Sequence, residues 1–429
     1  MTVKIITLGC KVNQYESQAM LEALLAAGFT QAAPDEAAGV VVVNSCTVTA
    51  QSDHKVRQAL RRAKKDNPGA VTVLTGCMPQ AFPDAAAALL EADIVLGNTK
   101  RSDLVPRLQE FLATKQRVVD IAPHVTGEPF EPLHVSEFHG RTRAFLKIQD
   151  GCDRFCAYCI IPYARGRVRS KALEDIRQEV AQLGQAGYKE VVLTGINLSA
   201  YGQEFGLHLC DAIEAACATP GIERVRLGSL EPEQLSEDVI RRMAKQKKLC
   251  PQFHLSLQSG CDATLKRMNR HYTADEYRTI VRNLRAAFEN AAITTDIMVG
   301  FAGETDEEFA ESLAFAEEIA FAKVHVFAYS RRPGTRAYDM GDQLTNAVKE
   351  ARSHEMIRVT TATQQAFFKA QIGRTEEVLF EREIQKGVWE GYSMNYTPVA
   401  VASGTSLAGE IRSVRIENGT DTHCMGVVL

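Results

Sequence analysis

Residues 151–167 read GCDRFCAYCIIPYARGR, and the Cx3CxxC spacing of Cys152, Cys156 and Cys159 governs the reading of the whole chain. A four-iron cube needs a ligand on each iron, so three thiolates on one short loop leave one iron open to a ligand that is not protein. An electron carrier closes that corner; a catalyst leaves it open. The competing assignment is a partial zinc site, because Cys-rich loops of intracellular proteins often hold zinc. A structural zinc, however, takes four protein ligands in a closed tetrahedron, and no Cys or His follows Cys159 within the next forty residues.

The triplet follows an apolar segment, 145–148. This is the first of six, the others being 191–194, 225–227, 253–257, 294–298 and 324–327, with amphipathic helical stretches between them. Six βα units predict a partial (β/α)6 barrel over 141–370, with function at the C-terminal ends of its strands, where the triplet lies. Upstream, apolar segments 3–8, 40–43, 71–74 and 94–96 alternate with helical stretches such as 17–27 and 55–65, which predicts a parallel sheet over 1–121 covered by helices. The first three of these strands end in LGC, NSC and TGC, so Cys10, Cys46 and Cys77 sit just past their C-terminal ends, 36 and 31 residues apart. One βαβ repeat spans each interval, which brings the three to one sheet edge. The fourth strand ends LGN, with Asn98 in the equivalent place. A second cube with an open iron is the expectation; the alternative is three cysteines buried as small hydrophobes.

Composition bounds the rest. The 429 residues suggest about three domains, with the 45% hydrophobic and 24% charged content of an ordinary globular protein. No secretion signal and no apolar run of membrane-spanning length is visible, so the expectation is a cytoplasmic protein with no membrane partner. Eleven cysteines, an odd number, then read as reduced thiols and not as a disulfide framework. A net charge of −4 offers no global field for nucleic acid, so RNA binding would need local patches.

LGCKVNQYES, NSCTVTAQSD, TGCMPQ and GCDRFCAYCIIPYARGRVRS together resemble the radical S-adenosylmethionine (SAM) methylthiotransferases. The resemblance implies an α/β chain with two [4Fe–4S] clusters and SAM as cofactors, one cluster on Cys152, Cys156 and Cys159 and the other on Cys10, Cys46 and Cys77. It implies that the first makes a 5′-deoxyadenosyl radical from SAM, and that the second carries a sulfur methylated by another SAM. The two would have to share a cavity, with the N-terminal sheet edge capping the barrel mouth. Within the family, LGCKVNQYES, LTGINLSAYG, RLGSLEPEQL and EGYSMNYTPV are similar to the branch that modifies C2 of N6-threonylcarbamoyladenosine at position 37 of tRNA. The other branches act on N6-isopentenyladenosine of tRNA or on a ribosomal-protein aspartate. A rival of another class is a non-catalytic iron–sulfur protein for electron transfer or RNA binding. An external electron donor and a sulfur source are implied partners.

The resemblance also implies SAM contacts after the barrel strands: Tyr158; Thr194, Gly195 and Asn197; Ser256 and Gln258; and the backbone of Val299, Gly300 and Phe301 along the adenine. Ser259 belongs to the same polar cluster as Ser256 and Gln258, which one serine acting as a helix cap does not explain. Glu304, Thr305 and Asp306 read as a helix start. Cys261, where the family usually has serine, is an oxidation risk near the site. For RNA, a basic helix carries Lys55, Arg57, Arg61, Arg62, Lys64 and Lys65 just beyond Cys46; Arg165, Arg167 and Arg169 follow the first barrel strand, and Arg331, Arg332 and Arg336 the sixth. These arginines would grip the anticodon-loop backbone while the target base is splayed out. The stretch 122–140, with His124, His134 and His139, reads as a linker whose histidines lie at the surface. From 371 to 429 short strands predict a small antiparallel barrel resembling the TRAM module. Its five Lys/Arg against eight Asp/Glu leave any RNA recognition to shape, backbone or Trp389, Tyr392 and Tyr396.

Overall fold

The computed structural model describes residues 1–33, 35–138 and 140–429. Its N-terminal sheet has six parallel strands in the spatial order Thr30–Gln31, Thr2–Thr7, Val40–Ser45, Val71–Gly76, Ile94–Leu96, Val118–Asp120. Val40, Val41, Val42 and Val43 are fully buried, as a parallel sheet covered on both faces demands. The first and last strands of that order were not visible in the sequence. They are two and three residues long and read TQ and VVD, so neither offers an apolar run of three. The basic helix, Ala50–Asp66, begins five residues before the sequence suggests, because Thr49 accepts a hydrogen bond from the Ser52 amide at 3.1 Å and caps it.

All six barrel strands are present and parallel. Arg143–Lys147, Glu190–Thr194 and Arg224–Leu227 form one sheet; Ser229–Leu230, Gln252–Leu255, Ala292–Val299 and Lys323–Ala328 form the next. The third strand passes from one sheet to the other at Gly228, so the two are one curved, open wall. Helices such as Leu173–Gln185 and Ala274–Ala287 pack outside it, their buried sides joining the barrel core. Segment 122–140 is more than a tether: Val135 and Phe138 are buried in that core, and the Leu133 carbonyl accepts from the Tyr15 hydroxyl at 2.8 Å. His124 is not at the surface either, its ring held between Glu128 (2.6 Å) and the Ala164 carbonyl (3.2 Å). His134 is exposed; His139 lies outside the described residues.

The 25-residue helix Asn346–Ala370 leads to a closed five-stranded barrel in the order Thr375–Gln385, Val388–Ser393, Pro398–Ala402, Cys424–Val428, Ile411–Gly419. The expectation of an antiparallel barrel holds for every pair but one: Pro398–Ala402 runs parallel to Cys424–Val428. A ring with an odd number of strands cannot alternate all the way round, so one parallel seam is unavoidable. This barrel docks on the first three strands of the larger one. Arg224 donates to the carbonyls of Tyr392 and Glu377, Arg226 to those of Met394 and Ser393, and Arg143 pairs with Glu381 at 2.5 Å. Tyr392 and Tyr396 stack at 4.5 Å under the Arg143 guanidinium. These two tyrosines, candidates for RNA stacking in the sequence, are therefore spent on the joint between barrels. No helix among the described residues is long and apolar enough to cross a membrane.

Candidate active site

Cys152, Cys156 and Cys159 occupy the loop between the first barrel strand and the helix Ile161–Arg165. Its entry needs glycine: Gly151 has φ +74°, and a Cβ there would lie 1.8 Å from the Arg167 carbonyl oxygen. The loop is pinned from the far side of the barrel. Ala157 donates to the Met268 carbonyl at 2.8 Å, Asn269 donates to the Phe155 carbonyl at 3.2 Å, and Arg154 pairs with Glu233 at 2.7 Å. Arg270, itself paired with Glu231, donates an N–H to the Cys156 sulfur at 3.3 Å.

The other three cysteines also meet. Cys10 is the residue before helix Lys11–Ala26, Cys46 follows Ser45, and Cys77 opens the short helix Cys77–Ala81. A Cβ on Gly9 would stand 3.0 Å from the Cys46 Cβ, and the Cys46 thiol feels the charges of both Cys77 and Cys10. Arg165, on the helix that follows Cys159, spans the gap to the first triplet: it donates to the Cys77 sulfur at 3.2 Å and to Asn13 at 3.1 Å, and it pairs with Glu16. Asn98, at the fourth strand's end, donates to the Ala164 carbonyl at 2.6 Å. On the opposite side, Ala50 donates to Ser330 at 3.1 Å, and Arg332 donates to Thr47 (2.8 Å) and Asp53 (2.6 Å). The cysteine-bearing edge of the sheet thus sits against the loops that follow the first and sixth barrel strands.

A radical SAM superfamily profile matches residues 146–316, and that of the uncharacterized protein family UPF0004 matches residues 2–97. The threonylcarbamoyladenosine tRNA methylthiotransferase MtaB of Thermotoga maritima is 38% identical, over 97% of this chain and 94% of its own. The chain belongs to the radical SAM methylthiotransferase family. The tRNA-2-methylthio-N(6)-dimethylallyladenosine synthase of Pelotomaculum thermopropionicum is 34% identical, over 99% of this chain and 97% of its own. Among solved structures, a radical SAM methyltransferase of Kitasatospora setae shares the fold, with TM-score 0.60, 15% identity and 79% and 77% of the two chains covered. Membership makes the protein a transferase that uses a [4Fe–4S] cluster and SAM.

The residues present fit such groups. All six cysteines are free, and among the described residues no three His, Cys, Asp or Glu side chains converge on a point that holds one metal ion. Burial pushes the Cys152 thiol up to about 11, with Cys156 adding to the rise, and the Cys46 thiol also to about 11, with Cys77 and Cys10 adding. Thiols so placed ionise only against a cation, and binding iron releases their protons. The Asn197 side-chain oxygen is buried without a partner among the described residues, while its amide nitrogen lies 3.8 Å from the Cys152 sulfur; an orphaned acceptor there suits the ammonium of SAM. Ser256 and Gln258 have no side-chain partner among the described residues, and Gln258 adopts φ +69°.

Other expected contacts have internal roles. A Cβ on Gly195 would meet Gln149 at 2.8 Å, and the Gly300 amide donates to Glu304 at 2.7 Å. Phe301, fully buried beside Val299, meets Tyr158 edge-on at 6.4 Å and Tyr329 at 5.1 Å. Thr194 lies buried at its strand end, and Ser259 accepts from the Cys261 amide at 3.2 Å. Cys261 is buried, and burial pushes its thiol up, so the expected oxidation risk is shielded. Thr305 caps its helix as anticipated, but Glu304 does something else: it is buried and paired with Arg352 at 2.6 Å.

The arginine assignments need correction. Arg165 and Arg332 are buried and committed to Glu16 and Asp53, and Arg169 is buried against the carbonyls of Arg165 and Arg167. They cement the domain joint and are not open to RNA. Arg57, Arg61, Arg62, Arg167, Arg331 and Arg336 remain exposed. Arg270 and Glu231 were not singled out for the cysteine loop: Arg270 lies 114 residues from Cys156, and no local pattern marks an N–H to sulfur contact.

Proposed function

We propose that the protein adds a methylthio group to C2 of N6-threonylcarbamoyladenosine at position 37, in the anticodon loop of tRNA. The reading is supported by the Arg165 bridge between two cysteine triplets, in a chain that aligns almost end to end with the Thermotoga relative named for that nucleoside. Cys152, Cys156 and Cys159 would hold one [4Fe–4S] cluster with SAM on its open iron, and Cys10, Cys46 and Cys77 a second. When bound, these groups supply the one-electron cleavage of SAM and the sulfur that is transferred.

The chain's own residues position these groups. Arg270 and Arg165 each aim an N–H at one cysteine sulfur, and such bonds tune cluster potentials. Asn197 offers its free oxygen to the SAM ammonium. Exposed Arg57, Arg61, Arg62, Arg167 and Arg331 hold the phosphate backbone. No side-chain acid or base is required; an external reductant and a sulfur source are.

The decisive experiment offers the anaerobically reconstituted protein dithionite, SAM and tRNA bearing either threonylcarbamoyladenosine or dimethylallyladenosine, with nucleosides read by mass spectrometry. The methylthio group is expected on the first alone; its appearance only on the second reassigns the branch, and absence of 5′-deoxyadenosine ends the enzyme reading. Reversing three charges, Arg57→Glu with Arg61→Glu and Arg62→Glu, should weaken tRNA binding by about tenfold or more and flatten its salt dependence. Fluorescence anisotropy over a salt series checks this. An unchanged slope would place the RNA elsewhere.

A further inference from the structure

Alternate residues of the last three barrel strands face opposite ways. Phe253 and Leu255 of the fourth strand and Ile293, Ile297 and Val299 of the fifth are buried in the core shared with the outer helices, and Val324 and Val326 of the sixth pack against it. The residues between them therefore line the inside of the barrel. Strand register sets these in rows across the wall: Met298 beside Phe327, Asp296 beside His325, and Thr294 beside Lys323, with His254 on the other side of Thr294. The rise along a strand puts successive rows about 7 Å apart. The top row is tied to the cysteine loop, because Met298 and Tyr158 pack on one apolar cluster that contains Phe301. Going down from the mouth, the wall thus changes from apolar to polar to cationic.

Little of this wall's polarity is used internally. On the second and third strands Glu190 is answered by Arg226 at 2.7 Å, with Arg143 and Arg224 each at 3.9 Å. On the last three strands His254 is engaged by Thr294 (3.1 Å) and Asp296 (3.4 Å). The Asp296 side chain has that one ion-pair contact and no hydrogen bond among the described residues, although a carboxylate accepts up to about four. His325, whose ring centre is 6.1 Å from that of His254, and Lys323 are both exposed, and neither has a hydrogen-bond or ion-pair partner among the described residues. Phe327, above them on the same strand, is 48% exposed. One wall therefore offers an open apolar ring near the cysteine loop and, below it, an acceptor and two donors without partners.

We propose that this wall receives the N6 substituent of the substrate nucleoside: Asp296 accepts from a ureido N–H of the threonylcarbamoyl group, while His325 and Lys323 donate to its carboxylate. This rests on the substrate assigned above. The order of groups on the wall matches their order on the nucleoside, with the base at the level of Met298 and Phe327, then the urea, then the anion. A dimethylallyl group would instead press hydrocarbon against one carboxylate and two donors, leaving all three desolvated and unpaired. Sites built around polar partners discriminate strongly against an analogue that lacks them. Asp296, His325 and Lys323 are thus specificity-determining residues for the reaction.

The test measures equilibrium binding of anticodon stem-loops to the reconstituted protein, with iron content and visible spectrum checked for each variant. The stem-loops carry threonylcarbamoyladenosine, its carboxyl methyl ester, dimethylallyladenosine or plain adenosine at the target position. Wild type should bind the free carboxylate about tenfold or more tighter than the ester. Lys323→Met and His325→Leu should each cut that preference by about threefold or more, the double variant should bring it near unity, and Lys323→Arg should keep most of it. Asp296→Ala should weaken acid and ester alike relative to plain adenosine. The ester comparison on wild type needs no substitution, so it decides even where a variant loads iron poorly. Equal binding of acid and ester by wild type overturns the proposal, as does a preference that survives in the double variant. A loss of one size on all four RNAs also overturns it, by placing Lys323 and His325 on phosphate, and unchanged ratios in Asp296→Ala overturn the ureido contact. A wild type that selects dimethylallyladenosine overturns the substrate assignment itself, a distinct failure.

Discussion

Cys46→Ala is expected to lower methylthio transfer by at least about 100-fold while 5′-deoxyadenosine formation from SAM stays within about threefold of wild type. The two triplets are held by separate sets of contacts, which is why the activities should part. Arg270, Glu231 and Asn269 fix the Cys152–Cys156–Cys159 loop from within the barrel. Cys46 stands at the end of the strand Val40–Ser45, in the other half of the molecule. Its replacement removes one thiol and little packing, because the residue is only partly buried. Cys156→Ala should instead abolish both reactions. Chromatography of deoxyadenosine and of nucleosides from the same reaction gives the two readings together. Loss of both in Cys46→Ala would make that cysteine a folding element.

Glu16→Ala should destabilise the protein by about 3–5 kcal/mol, the cost of stripping the partner from buried cations. Glu16 is fully buried and contacts Arg165, Lys147 (2.7 Å) and Arg101 (3.2 Å), with Asp150 as the nearby second acid at 2.6 Å from Lys147. By contrast the exposed pair Arg62–Asp66 should contribute almost nothing. Burial pushes the Glu16 carboxyl up, but the sum of Arg101, Arg165 and Lys147 outweighs burial and holds it down to about 2, from an ordinary 4.5. A depressed carboxylate lends its full stability above its unfolded value and loses it as pH falls through the folded one. The wild type should therefore weaken progressively between about pH 4.5 and 2, and Glu16→Ala should be weaker at neutral pH with a shallower acid slope. Chemical unfolding midpoints across that range measure both effects. An unchanged midpoint at pH 7 would show that the network contributes nothing net.

Much of this was legible in the chain because its signals are local. Apolar segments alternating with helical stretches require only a few residues in register, and they marked all six barrel strands and the four inner strands of the N-terminal sheet. Cysteine at three successive strand ends is likewise a short-range pattern; parallel topology then does the gathering. Thr305 at its helix start was readable for the same reason.

Where a charged side chain points is not local. Arg165 and Arg167 are two residues apart, yet the first is buried against Cys77 and Glu16 while the second is exposed. Nothing in ARGR, residues 164–167, separates them before the sheet edge docks on the barrel. Tyr392 and Tyr396 looked open until arginines of the first and third barrel strands closed over them. Sequence alone thus set the strands, the helices and the six sulfur positions, because periodicity and strand ends are properties of neighbours along the chain. Tertiary structure alone decided which cations are walled in as joints and which, like Arg167 and Arg331, stay exposed, because burial and pairing depend on surfaces that meet from distant parts of the chain.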